Sequence, residues 1–256
     1  MHWRTVEEFR HGDRSMLVKR PQGDSGTGQQ FVLVHGIGVA SRYYTRLARA
    51  LALSGGVHVL ELAGFGGAPR PERPLSVEEH AALLNAYVVS AGLDQPVLVG
   101  HSMGVQIVVE AALQEPGLHP SVVGIGGVVD PSARTALRQA TRLGLDTLRE
   151  TPLANYAVLR DYARTGPRWY LKNVPIMLGY RLEEALPRLQ VPLLLLRGAR
   201  DPIATQPWAE QMQRLAPDAR LVTVPGAAHV AMYTHARDVA EAILAHAWVV
   251  ARPPSP

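Results

Sequence analysis

The most regular feature of the chain is a series of short, nearly unbroken apolar runs separated by segments of helical periodicity. The runs are "FVLVHG" (31–36), "VHVLEL" (57–62), "PVLVGH" (96–101), "SVVGIGGVV" (121–129), "VPLLLLRG" (191–198) and "ARLVTVPG" (219–226). A strand with no polar face is buried on both sides, so these runs predict a mostly parallel central sheet covered by helices. Segments such as "RYYTRLARALALSG" and "SVEEHAALLNAYVVSAG" supply the helices, and in the second Ser76 and Glu79 stand at capping-box spacing. At the N-terminus "RTVEEFRHGDRSMLVKRP" breaks at His11-Gly12-Asp13, which predicts an antiparallel hairpin. Together these make an α/β architecture with helices flanking the sheet.

The alternation is interrupted once. From Pro131 to Leu186 there is no strand-like run, only the helical patterns "SARTALRQATRLGLDTLRE", "LANYAVLRDYART" and "PRWYLKNVPIMLGYRLEEAL". The chain is therefore divided into a core, residues 1–130 and 187–256, and a helical insertion, 131–186. Placed between two strands of one sheet, the insertion is expected to cover the strand ends as a lid. The proline-rich tail "RPPSP" is expected to fray.

The candidate chemistry begins at "VLVGHSMGVQIVVEAA" (97–112), where an apolar strand turns directly into a helix. A residue at such a corner is held in a strained backbone conformation with its side chain thrown out of the sheet edge. Its neighbours two positions away must then be small. Gly100 and Gly104 bracket Ser102 in this way, the G-x-S-x-G arrangement of an exposed serine nucleophile. A serine hydroxyl needs a base, and the base needs a carboxylate to hold it. "LLLLRGARDPIA" places Asp201 just past one apolar run, and "LVTVPGAAHVAMY" places His229 just past the next. Asp130, in "GGVVDPSA", is a rival for the carboxylate. A tetrahedral intermediate also needs preorganised N–H donors. Position points to the backbone N–H groups of Met103, after the serine, and Ile37, in the turn His35-Gly36-Ile37-Gly38. His35 is expected to brace that loop.

Composition narrows the classes. With 256 residues, the chain is long enough for one large core with an inserted unit. The absence of cysteine excludes a thiol nucleophile, a disulfide framework and a thiolate metal site. None of the ten histidines forms an H-x-x-x-H or H-E-x-x-H pair, so a metal site is not expected, and chemistry by a serine, a histidine and an aspartate needs no organic cofactor. All but two of the 26 basic residues are arginine, but no basic run is interleaved with aromatics, and nucleic acid is not an expected partner. No apolar stretch approaches the roughly 20 residues of a membrane span, and acidic residues stand where a signal peptide would be apolar. The expected location is the cytoplasm. Monomer and homodimer both remain open.

Taken together, "VHGIG", "GHSMG", "RGARDPI" and "VPGAAHVAMY" resemble the α/β-hydrolase superfamily over essentially the whole chain. "ELAGFGGAPRP" is similar to that family's D-x-P-G-x-G-x-S loop, with Glu61 in place of the aspartate and Ala63 in place of the proline. The resemblance implies the α/β-hydrolase fold and a catalytic set of Ser102, Asp201 and His229, with Ile37 and Met103 lining an oxyanion hole. It also implies acyl chemistry, because relatives that act on alkyl halides or epoxides use an aspartate nucleophile. The reading is a carboxylesterase or lactonase with a small-molecule substrate. Carbon–carbon bond hydrolysis of aromatic ring-cleavage products is the alternative within enzymes. A ligand receptor with slow turnover is the alternative outside them.

The insertion carries nine basic and five acidic residues, so the whole formal charge of +4 resides there. Arg134, Arg138 and Arg142, at four-residue steps, are expected to share one helix face. That face either is simply solvated or draws anionic substrates to the mouth. Tyr43, Tyr44, Tyr156, Tyr162, Trp169, Tyr170, Met177 and Tyr180 are pocket candidates.

Overall fold

The structure is a computed structural model that describes residues 3–24 and 26–250; the tail at 252–256 and Ser25 of the turn at 23–28 lie outside the described residues. Among the described residues, eight strands form one sheet. They are β1 (Trp3–His11), β2 (Arg14–Pro21), β3 (Gln29–Val34), β4 (Gly55–Glu61), β5 (Val97–His101), β6 (Val122–Ile125), β7 (Leu193–Gly198) and β8 (Ala219–Val224). Their order is β1-β2-β4-β3-β5-β6-β7-β8. The β1–β2 hairpin turns between His11 and Arg14 and joins β4 antiparallel, while β4 through β8 pair in parallel.

The helices between them are α1 (Thr45–Leu51), α2 (Val77–Ser90), α3 (Met103–Gln114), α4 (Ala136–Arg149), α5 (Pro152–Thr165), α6 (Pro167–Gly179), α7 (Leu182–Ala185), α8 (Gln206–Leu215), α9 (Ala231–Thr234) and α10 (Ala236–Val250). The capping box at Ser76 and Glu79 starts α2. Successive residues of the inner strands enter two separate cores, which is why their sequences read as unbroken apolar runs. Val32, Val34 and Leu98 pack with Leu83, Val105 and Trp208 from α2, α3 and α8. Phe31, Leu33 and Val97 pack on the other face with Leu47 of α1 and Ile243 of α10. No helix among the described residues is long and apolar enough to cross a membrane.

One predicted strand is shorter than its apolar run. The pattern at 121–129 extends to Val129, but pairing with β5 and β7 stops at Ile125. Gly126 takes φ +58° there and turns the chain across the sheet edge. Beyond the turn Gly126 abuts His229 and Val128 lines the cavity described below.

The topology decides where a site can form. From β3 the chain winds to β4 on one side, then returns to lay β5, β6, β7 and β8 on the other. The carboxyl ends of β3 and β5 face a crevice at this reversal, where open α/β sheets bind ligands. Helices α4, α5 and α6 all lie between β6 and β7 in sequence and together wall the space above these strand ends.

Candidate active site

Ser102 stands between β5 and α3 with φ 55° and ψ −120°, a region that costs a residue with a Cβ about 1–3 kcal/mol. Its N–H donates to the Ile125 carbonyl at 2.9 Å, pinning the corner to β6. The flanking glycines are sterically required. A Cβ on Gly104 would collide with the carbonyl oxygens of Val34 and His35, and one on Gly100 with the backbone of Gly104.

Asp201 follows β7. The N–H groups of Ile203 and Ala204 donate to its Oδ1 at 2.8 and 3.0 Å. Its Oδ2 is left for His229, whose Nδ1–H donates to it at 2.8 Å. That bond fixes the tautomer in which Nε2 carries the free lone pair of the neutral ring. Burial alone would push the Asp201 carboxyl up, but the imidazole and the two N–H groups hold it below its ordinary range. Burial would likewise lower His229; Asp201 above all, then Asp146 and Glu150, push it up to about 9. Asp130 accepts from Ser132 and Arg142 instead, so the carboxylate that holds His229 is Asp201.

Ser102, His229 and Ile37 line one cavity of about 860 Å³. Among the described residues no hydrogen bond joins the Ser102 hydroxyl to His229, so the expected serine–imidazole link is not made in this structure. Nor do the N–H groups of Ile37 and Met103 donate to any acceptor among the described residues. His35 braces the loop before Ile37. Its Nε2 accepts the Leu62 N–H at 3.0 Å, and its Nδ1–H donates to the Gly36 carbonyl at 2.7 Å. Burial holds its pKa down at about 4, so the ring is neutral.

Two further supports had no signal in the sequence. The Gly36 N–H donates to the Tyr43 hydroxyl at 2.9 Å, which donates to His101 Nδ1 at 3.0 Å. His101 Nε2–H then donates to the His229 carbonyl at 3.1 Å, and burial keeps this ring neutral. The chain of donors has one consistent direction and joins the β3 loop to the His229 loop. From the insertion, Asp146 Oδ1 accepts the His229 N–H at 3.1 Å and Glu150 Oε1 accepts the Val230 N–H at 2.8 Å. Burial raises both carboxyls, that of Glu150 to about 6.

The arginine stripe is not a stripe. Arg134 precedes α4 and reaches back to Glu183 and to the carbonyls of Leu178 and Tyr180 at 2.8 and 2.9 Å. Arg142 pairs with Asp130 at 2.9 Å, and Arg138 binds the Ser132 carbonyl. None of the three lines the cavity. Of the aromatic candidates, Tyr43, Tyr162 and Tyr170 line it, as does Met177. Tyr44 instead donates to the Val34 carbonyl, Tyr180 donates to Glu110, Tyr156 is exposed, and Trp169 is capped by Arg70.

A doubly covered, mostly parallel sheet with a strained serine at the β5 corner, and an aspartate–histidine pair after β7 and β8, defines a recognisable class. The chain belongs to the alpha/beta hydrolase family, whose model matches residues 31–242. It is 29% identical to the monoglyceride lipase of Homo sapiens over 86% of this chain and 82% of that protein. It is also 29% identical to the polyketide synthase ThaQ of Burkholderia thailandensis over 86% of its own length, which spans 12% of that much longer protein. An esterase from Thermogutta terrifontis superposes with a TM-score of 0.81 at 20% identity, covering 97% of this chain and 100% of that one.

Proposed function

We propose that the chain is a serine hydrolase that cleaves a carboxylic ester or lactone of a small to medium hydrophobic substrate through an acyl-enzyme on Ser102. The observation that carries the reading is the 2.8 Å bond from His229 to Asp201 at the wall of the cavity that Ser102 enters from its strained corner. His229 Nε2 takes the hydroxyl proton as Ser102 Oγ attacks the carbonyl carbon, and Asp201 stabilises the imidazolium that forms. The N–H groups of Ile37 and Met103 receive the oxyanion. The proton passes to the leaving alcohol, and a water molecule repeats the sequence to release the acid. Serine–imidazole bonds of this kind commonly tighten only in the substrate complex. Helices α4 to α6 act as the lid, excluding water from the acyl-enzyme. Similarity to a monoglyceride lipase supports ester chemistry.

The test combines a fluorophosphonate probe with p-nitrophenyl butyrate turnover. The probe labels Ser102, and Ser102→Ala abolishes labelling and lowers kcat by at least about a thousandfold. Folded protein that neither takes the label nor turns over any ester overturns the reading.

A further inference from the structure

The cavity carries a charge asymmetry opposite to that of the chain as a whole. Its lining includes Asp146 and Glu150 but no lysine or arginine. Asp146 lies in the last turn of α4 and Glu150 caps its C-terminus, and each spends one oxygen on the His229 loop. Neither Asp146 Oδ2 nor Glu150 Oε2 meets a hydrogen-bond donor among the described residues. Within the lining the opposing cation is His229, already matched by Asp201; Arg149, behind the lining, also acts on Asp146 but leaves the sum of these charges negative. With all four groups charged the local sum is therefore negative, and it becomes more so when the imidazole is neutral. The guanidinium groups on and beside α4 turn elsewhere, Arg134 to Glu183, Arg142 to Asp130 and Arg149 to the Arg200 carbonyl.

We propose that Asp146 and Glu150 set the charge preference of this cavity: it takes apolar ligands that are uncharged or carry a cationic group and rejects those that carry a permanent anion. As a statement about substrates this rests on the serine-hydrolase reading; as a statement about binding it does not. Composition points the other way, since the insertion has an excess of basic residues and would be expected to gather anions. That charge stays outside the cavity, on exposed residues such as Arg160, Arg164, Arg168 and Lys172. Inside, like-charge repulsion acts at short range, where water screens it least. Tyr162 and Tyr170 also line the cavity, and an aromatic ring whose face a ligand reaches favours a cation over an anion.

The experiment measures binding of octyltrimethylammonium, 1-octanol and 1-octanesulfonate to the full chain by titration calorimetry. Only binding that excess 1-octanol displaces is assigned to the cavity, which separates it from sulfonate held on surface arginines. At low salt the cation binds tightest and the sulfonate weakest, with at least about tenfold between those two. Asp146→Asn and Glu150→Gln keep an acceptor for the His229 and Val230 N–H groups and compress that spread. Should either variant misfold, the wild-type spread must still narrow on raising NaCl to about 0.5 M. Sulfonate binding as tight as that of the ammonium, a spread indifferent to salt, or no displaceable binding at all overturns the inference. Ordered binding without ester turnover overturns only the hydrolase reading; turnover with the order inverted overturns only this one.

Discussion

At the scale of single residues, the site depends on which group moves which pKa. Three carboxylates surround His229, so its raised pKa of about 9 leaves little free base at neutral pH. In the proposed reaction kcat/KM therefore rises with pH up to about 9 and then levels off. Glu150→Gln removes one of those carboxylates and shifts the profile to lower pH, as Asp146→Asn also does. A profile already flat above pH 7, or one that the variants leave in place, contradicts this account. Stability has the opposite slope. The folded pKa of His229 lies above the unfolded value of about 6.5. Its pairing with the carboxylates therefore contributes fully below that value and is lost as pH rises toward 9. Tyr43 acts through its neighbours as a positioning residue. Tyr43→Phe removes both the acceptor of the Gly36 N–H and the donor to His101, and it is expected to lower kcat about tenfold with little change in KM. A loss confined to KM would argue that Tyr43 instead contacts substrate.

At the scale of elements, the insertion is held down by bonds rather than by a large core of its own. Its helices leave Leu148 and Leu153 exposed on the surface and Leu137, Leu159 and Leu171 exposed at the cavity, and Arg134 ties their two ends together through Glu183 and two carbonyls. Arg134→Ala is expected to cost about 1–3 kcal/mol, because charge-assisted bonds at a half-buried position are lost while their acceptors remain. The measurements are calorimetric melting and the rate of limited proteolysis, with first cuts falling between 134 and 180. Unchanged proteolysis there would show that packing, not Arg134, retains the helices. The same region marks the limit of what the sequence discloses. Strands β3, β5 and β7 were legible because burial on both faces leaves an unmistakable pattern, and the strained serine was legible because its glycines are sterically forced. β8 is an edge strand and, against expectation, only partly buried. Asp201 and His229 were legible from their places just beyond strand ends. Asp146 and Glu150 were not, because acidic residues four apart at the end of an arginine-rich helix look like solvated surface until α4 and its C-cap are laid against the His229 loop. Arg134 was misplaced for a related reason: four-residue spacing suggests a shared face only if the helix has already begun, and α4 begins after it.

At the scale of the molecule, the floor of the cavity comes from sheet ends that converge at the topological reversal, and its walls come from one inserted segment. Floor and walls thus come from different stretches of chain, joined where Asp146 and Glu150 of the insertion hold the His229 loop. A volume of about 860 Å³ lies in the upper part of the roughly 300–1,000 Å³ range of small-molecule pockets. Most of the wall is apolar, so each methylene of an acyl chain that enters gains up to about 0.8 kcal/mol. In the proposed reaction, kcat/KM for p-nitrophenyl esters is expected to climb from acetate by up to about fourfold per methylene and then fall once the chain outgrows the walls. Val174, on α6, lines the cavity. Val174→Trp fills space in the wall without touching the elbow, so the maximum moves to a shorter chain while acetate turnover stays within about twofold of wild type. If both proteins show the same profile, the acyl group does not lie among α4, α5 and α6. A loss of acetate and long-chain turnover in equal measure would instead mean that the walls and the floor do not act independently.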